Sequence, residues 1–591
     1  MQTKDLERAV LLGLLFLLGA IAIVIAVPAA NQYEISVYTA YPIYFWGLVV
    51  GALLTGLLVI VGSAHTPEDR TWVFGLLLVL LTNALLVLLQ FIRGYQMYGR
   101  SDAMSHLGFV RDIGLSSAIG GGNIYPPMHL LLLALEDATG LDPMLIGMTI
   151  PVVFTGIYFG TMFYLLCSLF DSRVKILFAL PFVLLPVLGR AHVGLRPYDV
   201  GLLLIPFVFY LFIKGQRNPV PSNRIAFVVV LGAFLLYHPL TALFLLLVFS
   251  LYFVARYVPK STDQYATPTN LLSLSAVIFL VWYTNFTSML FRFERVYGTL
   301  FGDEGGTTPA DRYSETAEAT AIELIDLLRV FSLRYGTEAI LFTLGFAFVV
   351  AILLLAFREE YIPDRFALML GGTAILFGTG GLLFLVADLI VPHDRPFQIA
   401  KIAAVIIVGQ LFYFLIYHVN LTRQSHRARS GVYAILVVVL LLLTVLSVLT
   451  LYPSPLHSES NSQVTEMEIE GTQWLTEHGN TEYGLSEFHI SYFRFYHAQF
   501  GTDAPMPFSG GEPPPSFNYT NHEYVGEGLD EDSYLTITRK GRIVYPEAFP
   551  DYPENWRFAP ADFDRLDRDR TTVRIYDNGD YTQYLIDGTT A

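Results

Sequence analysis

The chain has 591 residues, 54% of them hydrophobic, and a mean hydropathy of +0.51. Apolar runs of about 18 residues or more recur, which excludes a soluble protein of this size, because such runs match the roughly 30 Å hydrocarbon layer of a bilayer. The net charge of −15 is confined to one end: residues 453–591 hold 24 acids against 9 cations, and the first 452 residues balance at 27 against 27.

In chain order, thirteen segments read as membrane helices: 8–27, 40–63, 72–92, 143–169, 174–189, 199–213, 223–237, 239–257, 270–290, 338–357, 366–391, 398–419 and 431–451. Those between 174 and 237 are short. Excess Lys and Arg marks cytoplasmic loops. With Lys4 and Arg8 inside, the inner loops carry Arg70, Arg173, Lys175, Lys214, Arg217, Arg224, Arg256, Lys260, Arg358, Arg365, Arg423, Arg427 and Arg429. This places the N-terminus in the cytoplasm, and the 93–142 loop, the 292–336 loop and residues 453–591 outside. The first segment also fits a cleaved signal peptide ending near Ala29-Ala30. The lone Cys167 reads as a small apolar packing residue.

The 93–142 loop predicts two helices lying along the membrane surface. One is capped by Ser101 and runs through Val110; the other follows Pro126-Pro127 and ends at Gly140. The 292–336 loop opens on Gly- and Thr-rich sequence (302–308), typical of a mobile segment, and continues into an amphipathic stretch, Ala317–Phe331, that predicts an interfacial helix. The expected organisation is a transmembrane domain over 1–452 and an acidic extracellular α/β domain over 453–591. In the latter, a helix is predicted over Met467–Glu477, strands at Tyr534–Thr538 and Thr572–Tyr576, and a closing hairpin turning on Asn578-Gly579. Pro513-Pro514-Pro515 marks an ordered turn or a loop. No repeat and no nucleic-acid signature is present.

Ionisable groups avoid the predicted midplane, apart from Asp388 near a helix end. They gather at the outer mouth: Arg100, Asp102, His106, Arg111 and Asp112; Glu136 and Asp137; Arg190, His192, Arg196 and Asp199; His393, Asp394, Arg395 and Lys401. Pumps and transporters keep such groups near the midplane, so this distribution points to chemistry at the outer interface. Asp102 falls in the first turn of its helix, where the dipole favours negative charge. It reads as a general base, a metal ligand or a plain helix cap. His106, four residues on, shares its face. Arg190, Arg196, Arg395 and Lys401 fit a phosphate clamp, the bland alternative being snorkelling or pairing, as of Arg395 with Asp394. Arg100 and His393 join this set. His129 and His238 are candidates to line the same cavity, although a helix-break packing role suits His238 better. Asp562-Phe563-Asp564 and Asp567-Arg568-Asp569 mimic a metal pair but suit a solvated acidic surface. Asn518-Tyr519-Thr520 is a glycosylation sequon, and Asn285-Phe286-Thr287 lies too close to the membrane to serve as one.

The stretches Ser101-Asp102-Ala103-Met104-Ser105-His106 and Tyr125-Pro126-Pro127-Met128-His129, set in this architecture, resemble the first outer loop of the GT-C glycosyltransferases. The ending Arg574-Ile575-Tyr576-Asp577-Asn578-Gly579 is similar to that of archaeal members, and a carboxylate-rich, lysine-poor tail suits a halophile. The resemblance implies a polytopic helical fold with an outer α/β domain. It implies a polyprenyl- or dolichyl-phosphate-linked sugar as donor, and a glycan, protein or lipid acceptor at the outer face of the cell membrane. It implies Asp102 as the catalytic carboxylate, while the chemistry of that side chain leaves it as base or metal ligand, with the leaving phosphate stabilised by cations or by a divalent metal such as Mg or Mn. Two departures stand out. Two additional helices precede the catalytic loop, and no Trp-Trp-Asp motif is present, which favours transfer of a single sugar over en bloc transfer to Asn. The competing readings are a lipid-linked glycan flippase, which predicts a polar tunnel at midplane, and a non-catalytic receptor or scaffold, which predicts no cavity at Asp102.

Overall fold

A computed structural model describes residues 3–65, 70–257, 271–284, 324–358, 363–386, 392–419, 425–511 and 516–588. In its first three quarters the main helices are α1 (Thr3–Ala26), α2 (Ile43–Gly62), α3 (Thr71–Ile92), α4 (Asp102–Ser116), α5 (Pro126–Thr139), α6 (Pro143–Leu169), α7 (Arg173–Val183), α8 (Pro197–Arg217), α9 (Pro221–Tyr237), α10 (Pro239–Val254), α11 (Leu271–Thr284), α12 (Leu324–Phe357), α13 (Arg365–Val386), α14 (Asp394–Tyr417) and α15 (His426–Leu449). All except α4 and α5 fall on the thirteen apolar segments read from the sequence. Among the described residues nine are long and apolar enough to cross a membrane: α1, α2, α3, α6, α8 and α12 to α15. The chain is a multi-pass helical membrane protein with a small α/β part at its C-terminal end.

Local chemistry explains the packing. On α1 the buried residues Leu6, Val10, Gly13, Leu17, Ala20 and Val24 recur every three or four positions, the spacing of one helix face. The opposite face exposes Leu11, Leu15, Leu18 and Ile25, a stripe suited to hydrocarbon rather than water. Small residues bring backbones together where helices cross. A Cβ on Gly56 would lie 2.9 Å from the Gly75 carbonyl oxygen, so α2 and α3 touch nearly main chain to main chain. At the centre, every residue of α14 from Ile399 to Phe412 is buried. A Cβ on its Gly409 would meet the Ala179 Cα at 2.3 Å, which seats α14 directly on α7.

The C-terminal part contains a five-stranded sheet ordered β4-β3-β5-β7-β6. Its strands are β3 (Gly484–Phe488), β4 (Gly510–Gly511), β5 (Ser533–Thr538), β6 (Thr572–Asp577) and β7 (Tyr581–Ile586), following a short β1 (Met97–Tyr98) and β2 (Gln463–Val464). β3 runs parallel to β4 and β5, while β5–β7 and β6–β7 are antiparallel. Alternate residues of β5 feed separate cores on the two faces. Leu535 and Ile537 pack with Phe488 and Phe563, and Tyr534 packs with Leu475 and Phe508. The longer helices here are α16 (Glu466–His478), α17 (Tyr492–Phe500) and α18 (Arg539–Ala548).

Two of the links between this part and the 93–142 loop lie at the start of that loop. β1 pairs antiparallel with β2. Next to that ladder, Arg100 donates from both terminal nitrogens to Glu468 at 2.6 Å, and also to the carbonyls of Gln463 and His489. Glu468 is fully buried and simultaneously completes a capping box with Thr465 at the start of α16.

Several expectations need correction. α4 runs to Ser116, beyond Val110, and Ser101 occupies its N-cap position without a side-chain cap bond. The expected interfacial helix, from Leu324 onward, is the first part of the 34-residue α12, continuous with the span; its residues 317–323 lie outside the described residues. α7 ends at Val183, and the chain then turns through a short 3₁₀ helix at Gly189–His192. Cys167 is exposed on the outward side of α6 rather than packed. Asp569 is buried and accepts from Val525 N and Thr571 N, so it braces the domain instead of facing solvent. Asp388, the 302–308 stretch, Asn285 and Pro513–Pro515 lie outside the described residues.

Glu468→Ala is expected to destabilise the detergent-solubilised protein by about 3–5 kcal/mol, because it strands a buried guanidinium. A thermal transition unchanged from wild type would show that the pair does not hold the two parts together. Gly409→Val is expected to lower the same transition by separating α14 from α7, and a neutral result would deny the close crossing.

Candidate functional site

Gly99, at φ +117°, turns the chain sharply into α4, and Asp102 opens that helix. Its side chain is 59% exposed, and its Oδ1 forms an ion pair with Arg494 Nη2 at 2.8 Å. Arg494 lies on α17, far away in sequence. Its other arm donates to Ser105 Oγ at 3.0 Å, and that hydroxyl lies 3.0 Å from His497 Nδ1. Burial and the Arg494 charge push His497 down, so it is neutral near pH 7 and accepts the Ser105 proton.

His106 turns inward from the same helix. Its Nδ1 lies 3.0 Å from His129 Nε2, and His129 Nδ1 lies 2.9 Å from Asn123 Oδ1. Asn123 Oδ1 can only accept, so His129 carries its proton on Nδ1 and accepts at Nε2 from His106 Nδ1–H. Burial, with Arg196 and Arg494 adding to it, lowers His106 to about 3; burial and His106 lower His129 to about 3. Both rings are neutral near pH 7, so they offer hydrogen bonds rather than positive charge. An aromatic row leads onward from them. Tyr125 stacks on His238 at 5.8 Å, and His238 meets Tyr198 edge-on at 5.1 Å. His238 also caps α10 by accepting from Thr241 N, the helix-break role its position suggested.

At the end of this row lies a polar cavity of about 110 Å³. Arg190, Arg196, His393 and Lys401, four of the cationic candidates, line it together with Arg334, Asp199, Glu338, Asp394 and Glu459. Each of the Arg and Lys side chains has an acid. Lys401 pairs with Glu338 at 2.7 Å, both largely buried, and Arg196 holds Asp199 through two bonds at 2.9 and 3.0 Å. Glu459 bridges Arg190 at 3.2 Å and Arg334 at 3.1 Å. His393 Nε2 lies 2.9 Å from Tyr335 OH. Arg395 lies over the Tyr198 ring at 5.0 Å, a cation–π contact.

Arg100 does not join this group, because its fork is closed on Glu468 and two carbonyls and it is buried between the Tyr33 and Phe495 rings. Sequence reasoning overlooked Arg334 and Arg494. The first falls inside a loop read as mobile. The second sits in a segment read only for its acidity, and no local pattern points from it to Asp102. Among the described residues no three His, Cys, Asp or Glu side chains converge to hold a divalent cation, and the partner of Asp102 is a guanidinium.

The chain matches no protein-family model and no curated protein sequence. Among solved structures it is similar to the Archaeoglobus fulgidus oligosaccharyltransferase tethered with an acceptor peptide containing the NVT sequon. That match has 13% identity and a TM-score of 0.45, over 81% of this chain and 71% of that one. It is also similar to ArnT from Cupriavidus metallidurans, in the apo state (11% identity, TM-score 0.41, 88% of this chain and 99% of that one) and bound to undecaprenyl phosphate (11%, 0.42, 86% and 98%). These are distant likenesses, and the functional reading rests on the site itself.

Proposed function

We propose that this protein is an inverting membrane glycosyltransferase of the GT-C type. It moves one sugar from a polyprenyl-phosphate donor to a hydroxyl acceptor on a glycan, protein or lipid at the outer membrane face, with Asp102 as general base. One observation carries the reading: an exposed carboxylate at the head of a helix whose next turn carries His106, the start of an aromatic row through Tyr125, His238 and Tyr198 that ends at a cavity lined by Arg190, Arg196, Arg334 and Lys401.

Asp102 takes the proton of the acceptor hydroxyl as that oxygen attacks the anomeric carbon. The bond from that carbon to the phosphate oxygen breaks, its electron pair stays with the polyprenyl phosphate, and Asp102 afterwards loses the proton to water. The cavity's cations stabilise the negative charge growing on the departing phosphate. Arg190 and Arg334 are the pair best suited to receive it. Their shared Glu459 is partly exposed, and ion pairs of that kind are worth only about 0–1 kcal/mol, so a phosphate displaces the carboxylate at little cost. Lys401 and Arg196, held by buried acids, keep the local field positive without moving.

The test is a deletion strain complemented with variants, read by the mass of its surface glycans, with transfer rates measured on polyprenyl-phosphate hexoses. Asp102→Asn is expected to lower the transfer rate by about 10²–10⁴-fold, the usual contribution of a positioned base. Unchanged glycans and rates would remove Asp102 from the mechanism. Glu459→Gln is expected to lower the donor KM by freeing two guanidinium groups, and a raised KM would place the phosphate elsewhere.

A further inference from the structure

We infer that Arg494 is a positioning residue for Asp102, so that the C-terminal part completes the catalytic site of the membrane part. The inference rests on Asp102 being the base. Among the described residues nothing else holds this carboxylate, because Ser101 makes no cap bond and no backbone N–H or second side chain reaches it. A half-exposed carboxylate with no partner samples several rotamers. Arg494 pairs with it through Oδ1, which leaves Oδ2 without a partner among the described residues.

Arg494 is itself fixed. Its second arm is held by Ser105, Ser105 is held by His497, and its guanidinium lies 4.5 Å from the centre of the Phe493 ring. The helices carrying these groups are splinted. A Cβ on Gly108 of α4 would lie 2.6 Å from the His497 carbonyl oxygen on α17, which permits no intervening side chain. One turn further, Asp112 accepts from Thr502 N at 2.9 Å. Contacts at three successive turns of α4 therefore set the distance from Arg494 to Asp102.

The test uses the purified full chain in lipid nanodiscs with a polyprenyl-phosphate hexose as donor. Arg494→Ala is expected to lower kcat about 10²-fold, the effect of a misplaced reacting group, while the donor KM holds. Added guanidinium ion should restore part of the rate, which it would not do if Arg494 served folding alone. Asp102→Asn combined with Arg494→Ala should be no slower than Asp102→Asn, since one acts through the other. Should Arg494→Ala fail to fold, Arg494→Lys is measured instead. It keeps the charge but cannot reach Asp102 and Ser105 together, so kcat should again fall. Full activity in the folded variant, or a loss expressed only in KM, would overturn the inference. If Asp102→Asn loses transfer and Arg494→Ala does not, this inference fails alone; if Asp102→Asn keeps transfer, the base assignment fails first.

Discussion

The architecture turns on the buried pair of Arg100 and Glu468. Removing two charges from water is costly, and their attraction offsets that cost only when geometry is good and every remaining donor is satisfied. The geometry is good, and both terminal nitrogens are fully engaged. The guanidinium meets the carboxylate through two bonds, its spare donors meet two carbonyls, and Glu468 also closes the N-terminus of α16. Neither partner can be satisfied unless the 93–142 loop is docked on the C-terminal part, so formation of the pair and placement of Asp102 are one event. The β1–β2 ladder fixes the register of that docking, and the α4–α17 splint carries it to the carboxylate.

The cavity beyond Asp102 follows a related logic. Four cations face four acids, so the site is balanced when empty. A cluster of unpaired cations beside hydrocarbon would be far costlier. The pairs are graded by depth. Lys401 and Glu338 are largely enclosed, whereas Arg190 is half exposed and shares Glu459 with Arg334. A shallow pair exchanges with an incoming anion more readily than a buried one, because water already screens it. The buried histidines add no charge. Their mutual hydrogen bond fixes each tautomer and holds α4 against α5.

Much of the fold was legible because its signals are local. A bilayer requires long apolar runs, so Leu-rich stretches such as α12 and α15 announce themselves, and the pattern of Pro126-Pro127 and Gly140 bounds α5 without reference to anything else. Asp102 at the head of a helix was legible for the same reason. Its environment was not. Arg100 and Arg494 are both arginines beside an acid, yet one is sealed in a structural clasp and the other reaches the site; only their burial and partners tell them apart. Cys167 shows the complementary limit, since an apolar run does not reveal which of its faces meets lipid.

The sequence by itself determined the membrane class, the thirteen apolar segments, the acidic α/β end and the position of Asp102, because each follows from composition or from contacts within a few residues. The tertiary structure alone decided that Arg190, Arg196, Arg334 and Lys401 share one cavity, that His106 and His129 are neutral, and that Arg494 grips Asp102. Those facts depend on burial and on contacts between residues hundreds of positions apart, where charge, tautomer and partner are set by the folded surroundings and not by neighbours in the chain.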